Sequence, residues 1–227
     1  MKKRIVFSLI FIFVMAAIVA LISFVFLYTP TDKMKISDLS GTWKIATQFS
    51  NDAPTLPEND FVVFTEDCAS IYRDGIVIGS STYVFTSSDV LELPEISRKY
   101  TVERRTDNYI RMYENSVRYI ELIRKPDNDI SNIEIDVSKL YDKWDVIYRN
   151  TADPIQNEIL VFDEDTIMDY RNSDDEPVAI SEYSWSSEGC LVAHKWGTEF
   201  KLVQLSDNVI FFIETQSGLI WELQRKS

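Results

Sequence analysis

At 227 residues, with 45% hydrophobic and 13% aromatic content, the chain can supply one large or two ordinary domains with enough apolar bulk to close small cores. Its formal charge is −13; Lys2, Lys3 and Arg4 are the only charges before residue 29, so the remainder, with 36 acids, would repel a phosphate backbone. Nucleic acid and anionic lipid are thereby disfavoured as partners, and two cysteines, Cys68 and Cys190, do not make a disulfide framework.

Residues 1–4 are basic. Residues 5–28, Ile5 to Tyr28, then run for 24 residues without charge, proline or glycine. As a helix that run reaches roughly 36 Å, enough to span a bilayer core of about 30 Å with some tilt. Lys33 and Lys35 beyond it are diluted by Asp32 and Asp38, so the positive-inside bias places the N-terminus in the cytoplasm. The chain beyond the short linker 29–35 is then extracytoplasmic, in a single-pass protein of the cell membrane. A cleaved signal peptide is the competing reading. Against it, Ile18 is bulky three residues before a cut after Ala20, and such a cut would leave an apolar new terminus.

The rest of the chain repeats itself at an offset of 98 to 101 residues. LSGTW ending at Trp43 matches LYDKW ending at Trp144. Phe64-Thr65-Glu66-Asp67 matches Phe162-Asp163-Glu164-Asp165, and Tyr72-Arg73-Asp74 matches Tyr170-Arg171-Asn172. Asp107-Asn108 matches Asp207-Asn208, Glu114 matches Glu214, and the copies close on ELIRK and ELQRK, ending at Lys125 and Lys226. The copies therefore span 36–125 and 137–227, joined by the polar connection 126–136. Eleven residues allow separate bodies, yet keep them close enough for a fixed cleft. Cys68 and Cys190 sit at non-equivalent positions, which excludes a bridge within either copy.

Within each copy the pattern is strand-like, with short runs rich in Val, Ile, Tyr, Phe and Thr separated by turn residues. The first copy offers GTWKIATQF, DFVVF, ASIYRD, STYVFT, KYTVERR, YIRMYE and VRYIELIR. The second offers KWDVIYR, EILVF, IMDYR, ISEYSW, CLVAHKW, EFKLVQL, VIFFIE and LIWELQR. The expected fold is all-β: after the membrane helix, two tandem antiparallel up-and-down β-barrels, in which closure disposes of sheet edges. β-sandwiches are the alternative.

A short helical turn, then Gly41-Thr42-Trp43 opening the first strand of a β-meander, resembles the lipocalin and calycin-like families, which place a Gly-x-Trp there. The resemblance implies a tryptophan plugging one barrel end and an arginine late in the last strand packing across its ring. Arg124 would face Trp43, and Arg225 would face Trp144. Asp142 replaces the glycine in the second copy. The resemblance also implies an open opposite end where inward aromatics hold a small apolar ligand. The candidates are Tyr83, Phe85, Tyr109 and Tyr113 in the first copy, and Tyr183, Trp185, Phe211 and Trp221 in the second.

Catalysis and metal chemistry find little support. His194 is the only histidine, and no Ser-His-Asp or Cys-His arrangement accompanies it. The acid clusters at Glu66-Asp67 and Asp163-Glu164-Asp165 lack a calcium-binding loop and read as solvated hairpin turns. No cofactor is implied. A unit of about 90 residues leaves little volume empty. The expected function is accordingly a membrane-anchored extracytoplasmic binding module that contacts another protein, ahead of small apolar ligand binding in a barrel.

Overall fold

The computed structural model describes residues 36–50, 53–87, 89–125, 137–149, 157–172 and 175–226. The expected membrane helix and the connection 126–136 lie outside them. Among the described residues, no helix is long and apolar enough to cross a membrane.

A four-residue helix, α1 (Ile36–Leu39), leads into the first copy. Its strands are β1 (Gly41–Ser50), β2 (Ala53–Thr55), β3 (Asp60–Phe64), β4 (Cys68–Arg73), β5 (Ile76–Thr82), β6 (Val84–Phe85), β7 (Val90–Leu93), β8 (Arg98–Arg104), β9 (Tyr109–Asn115) and β10 (Arg118–Lys125). A 3-10 turn over Val137–Leu140 opens the second copy. It continues as β11 (Lys143–Arg149), β12 (Ile159–Phe162), β13 (Thr166–Tyr170), β14 (Ala179–Trp185), β15 (Leu191–Ala193), β16 (Thr198–Ser206), β17 (Val209–Glu214) and β18 (Ile220–Arg225).

Alternation explains the strands. In β12 and β13, Leu160, Phe162, Ile167 and Asp169 are buried between half-buried neighbours, as residues on one face of a pleat must be. Tight turns join them. Asp74 and Gly75 hold φ of 49° and 78°, the paired positive values of a two-residue hairpin turn, which glycine and aspartate tolerate.

β11 to β18 form a closed eight-stranded barrel, with β18 returning to β11 through Trp144↔Arg225 and Tyr148↔Glu222. In the first copy the order is β5-β4-β3-β1-β10-β9-β8-β7-β6, with β2 beside β1. Its two ends are consecutive in the chain, because β5 stops at Thr82 and β6 starts at Val84. The single strand expected over STYVFT is thus split at Tyr83. In the second copy the same segment is the unbroken β14, paired to β13 through Thr166↔Glu182 and to β15 through Tyr183↔Ala193.

Tyr83 still makes the bonds of its counterpart. Its N–H donates to Asp67 O at 3.1 Å, as that of Tyr183 does to Asp165 O at 2.8 Å. Its hydroxyl donates to Thr65 O at 2.6 Å, as that of Tyr183 does to Asp163 O at 2.9 Å. The first barrel is therefore nearly closed. One sheet curls upon itself in each copy, so the sandwich alternative does not apply. Both barrels also bend at the same bulge, between Ile45 and Thr47 in β1 and between Val146 and Tyr148 in β11.

Among the described residues, three buried regions result. Trp43, Phe64, Leu91, Met112 and Leu122 are buried in the first copy, and Leu140, Trp144, Phe162, Phe200, Phe212 and Leu223 anchor the interior of the second. A third cluster lies between the barrels: Ala46, Tyr109 and Ile123 pack against Val203, Leu205, Phe211, Ile213 and Ile220. The barrels share this seam within one compact unit. At Gly218 in the β17–β18 turn, an added Cβ would lie 2.8 Å from Phe49 Cζ and 3.0 Å from Pro54 Cβ. Glycine is what lets that turn approach the β1–β2 hairpin.

Candidate functional site

The end of each barrel where the chain enters is plugged. Trp43 donates its indole N–H to Leu39 O at 2.7 Å, and the Arg124 guanidinium lies 4.4 Å from the ring centroid. Arg124 also donates to the carbonyls of Ser40 at 3.0 Å and Asp107 at 3.3 Å, and to that of Asp38. In the second copy Trp144 donates to Leu140 O at 2.9 Å beneath Arg225 at 4.8 Å.

Arg225 reaches the carbonyls of Lys139 at 2.5 Å and Asp207 at 2.9 Å, and pairs with the Asp142 carboxylate at 2.5 Å. The departure from glycine at 142 thus supplies an acceptor for Arg225. The Lys143 N–H, and then Arg225, hold the Asp142 carboxyl below its ordinary range. The donors of both arginines are engaged by the fold, and these ends stabilise the barrels rather than offering a ligand contact.

The expected ligand aromatics divide. Tyr83, Tyr183 and Trp185 belong to the interior side of their walls; Tyr83 meets Phe64 at 5.5 Å, and Tyr183 meets Trp185 at 6.5 Å. Phe85 is half-buried on β6. Trp221 packs on Phe200 at 5.8 Å, with the Arg149 guanidinium 5.1 Å from its ring centroid.

Tyr109 and Phe211 instead point out of their barrels and meet in the seam at 6.5 Å, with Tyr148 5.2 Å from Tyr109. Tyr113, two strand pairs of alternation after Tyr109, shares its outward face and bonds to Arg105, Arg111 and Glu103. The inward positions of β9 and β17 are taken by Ile110 and Met112, and by Ile210 and Phe212. Alternation then sends the intervening aromatics outward.

Among the described residues, little interior room is found. A cavity of about 30 Å³ lies in the first barrel among Val62, Ile71, Ile96, Tyr100, Met112 and Ile120. It holds a water or two, whereas small-molecule sites run to about 300 Å³ or more. The described interior of the second barrel is occupied by its core cluster.

The outer surface is more informative. Ile76, Val77 and Ile78 open β5 and are 68%, 51% and 52% exposed. Among the described residues β5 pairs only with β4, and its sequence, IVIGSST, has no charge or proline of the kind that usually guards a sheet edge. In the second copy Val178 and Ile180 are likewise exposed, at positions equivalent to Ile78 and Ser80. The sequence signal for this surface is the apolar run directly after Asp74-Gly75, with no alternating polar residue, a run absent from the strand-like segments of the first copy.

His194 Nε2 lies 3.0 Å from Ser184 Oγ. Cys68 is half-buried and Cys190 buried, and both are free thiols. Among the described residues, no group of three or more His, Cys, Asp or Glu side chains is arranged to hold a metal ion.

No protein-family model matches the chain, and no curated protein does. Among solved structures it is similar to a protein of unknown function from the DUF3598 family of Nostoc punctiforme, with 11% identity and a TM-score of 0.32, over 85% of this chain and 100% of that one. A DNA polymerase III beta chain from Streptococcus pneumoniae gives 9% identity and a TM-score of 0.17, over 87% of this chain and 59% of that one. At these TM-scores, function must be read from the chain's own residues.

Proposed function

We propose that this chain is a membrane-anchored extracytoplasmic binding protein that takes an extended segment of another protein onto the free edge of β5. The observation that carries the reading is the uncharged edge at Ile76, Val77 and Ile78, which turns backbone donors and acceptors and apolar side chains toward solvent together. An added strand satisfies the first by main-chain hydrogen bonds and the second by alternate side-chain contacts. The formal charge of −13 favours a partner segment with basic residues. The filled interiors support surface contact over an enclosed apolar ligand. Display outside a membrane rests on the run from Ile5 to Tyr28 and the basic residues before it.

The test is site-specific photo-crosslinking from position 77 of the full chain in its native cells. A discrete adduct that disappears in the I76S/I78S background, with melting behaviour preserved, supports the reading. An adduct indifferent to those changes, or none, overturns it.

A further inference from the structure

The two barrels differ at the mouth away from their tryptophan plugs. In the first barrel Ile71, Ile96 and Ile120 border the cavity of about 30 Å³, which also reaches Ser80 and Ser81 on β5. By the internal repeat the second barrel carries Asp169, Trp196 and Trp221 there, and both indoles pack against its core. The turn that opens at Pro94 fixes the alignment. Ser97 N–H donates to Pro94 O as Gly197 N–H donates to His194 O, with φ of 51° and 64°. Space that the second copy fills with two aromatic rings is left open in the first.

That space adjoins the free edge. β5 pairs with β4 through Ile71↔Gly79 and Ala69↔Ser81, and Ile71 and Ala69 both line the cavity, so Gly79 faces inward on the edge strand. A Cβ at Gly79 would meet no atom within 4 Å, and Ser80 and Ile96 beside it are exposed. A strand laid along β5 directs the side chain opposite Gly79 inward as well, because cross-strand neighbours share a face. The serine hydroxyls on the cavity wall are engaged elsewhere: Ser80 Oγ lies 3.0 Å from Cys68 Sγ, and Ser81 Oγ donates to Thr82 O at 2.8 Å. A water would find few partners, so an apolar group is the better occupant. The room suits the branched tip of one aliphatic side chain, not a free ligand, whose sites run to about 300 Å³ or more.

A charge stands at the same mouth. Glu95 accepts from Ser81 Oγ and from Thr82 Oγ1 at 2.6 Å, and these bonds, that from Ser81 first, lower its carboxyl to about 2. Among the described residues no lysine or arginine pairs with it. A cation on an incoming segment would complement it. The second copy reverses the charge with Lys195.

We propose that the segment added to β5 anchors one aliphatic side chain, of valine, isoleucine or leucine, in the mouth of the first barrel and sets a lysine or arginine against Glu95. The proposal rests on the strand-addition reading above and gives it a sequence preference. The second copy, with Trp196, Trp221 and Lys195, lacks both the room and the charge.

The probe is a phage-displayed library of random ten-residue peptides, selected on the full chain in detergent and on its G79V, I96W, E95K and I76S/I78S variants. Recovered peptides should share an aliphatic residue close to a lysine or arginine, and synthetic copies should bind at least tenfold more weakly when that aliphatic residue becomes alanine. I96W installs the second copy's residue, and G79V adds a side chain where the backbone lies outside the left-handed region. Each should weaken binding at least tenfold while melting within a few degrees of the parent. E95K should select acidic residues in place of basic ones, and as an exposed change it keeps the test decisive if either of the others fails to fold. Peptides that lose binding in I76S/I78S but are indifferent to G79V, I96W and E95K leave strand addition standing and overturn this proposal. No enriched peptide, or enrichment untouched by I76S/I78S, overturns both.

Discussion

Glu121 and Glu222 occupy the same position in the two copies, and both take their hydrogen bonds from the first barrel. Glu121 accepts from Tyr109 Oη at 2.6 Å and from Arg111, its neighbours in the same wall. Glu222 accepts across the seam, from Thr106 Oγ1 at 2.5 Å and Asn108 Nδ2 at 2.9 Å. The duplicated glutamate has become a contact between the copies.

Glu222→Ala leaves Thr106 and Asn108 facing a buried gap and should cost about 1–3 kcal/mol, whereas Glu222→Gln should cost under about 1 kcal/mol. Burial raises the Glu222 carboxyl above its ordinary value of 4.5. The folded state therefore holds that proton more tightly than the unfolded chain, and this contribution is fully present below 4.5. It is lost as pH rises through the higher folded value. Denaturant melts as a function of pH should show a shallower decline over that window in the Gln variant.

Arg111 and Glu121 form a pair with side chains 9% and 0% exposed. Arg111→Met alone should destabilise by about 3–5 kcal/mol, because it strands a buried carboxylate. Adding Glu121→Leu should recover most of that loss. Equilibrium unfolding of both single variants and the double variant measures the coupling, and strictly additive losses would refute it.

Lys44 lies buried 5.2 Å from the Phe61 ring centroid and donates to Glu58 O. Burial, followed by Lys201 and Lys125, lowers its pKa to about 8 from 10.5. The folded state releases this proton first, so stability should rise between pH 8 and 10.5. Lys44→Met, which keeps the packing, should abolish that rise. Melting temperatures taken across this range in parent and variant decide the matter.

Gly218→Ala should reduce stability by about 1–3 kcal/mol, through a clash with Phe49, Pro54 and Thr47 and through a strained φ of +70°. Gly189→Ala is the comparison, with similar φ strain but no neighbour within 4 Å of the added carbon. If the two variants melt alike, the turn does not depend on close approach at the seam.

The duplication and the strand-like character of both copies are legible in the amino-acid order alone, because each depends on local periodicity or on residues recurring at equivalent positions. The pairing of Trp43 with Arg124 and of Trp144 with Arg225 follows from the resemblance carried by Gly41-Thr42-Trp43, and only the folded chain shows Asp142 taking the glycine's place as a partner of Arg225. Features beyond local pattern needed the folded chain. Tyr109 and Phe211 look like ligand-lining aromatics until the register of β9 and β17 turns them into the seam. Ile76 to Gly79 fall outside the strand-like segments until hydrogen bonding to β4 makes them an edge. Glu222 is one acid among 36 in the sequence, and only the folded chain brings Thr106 and Asn108 to it across the seam, where a buried carboxylate must find donors.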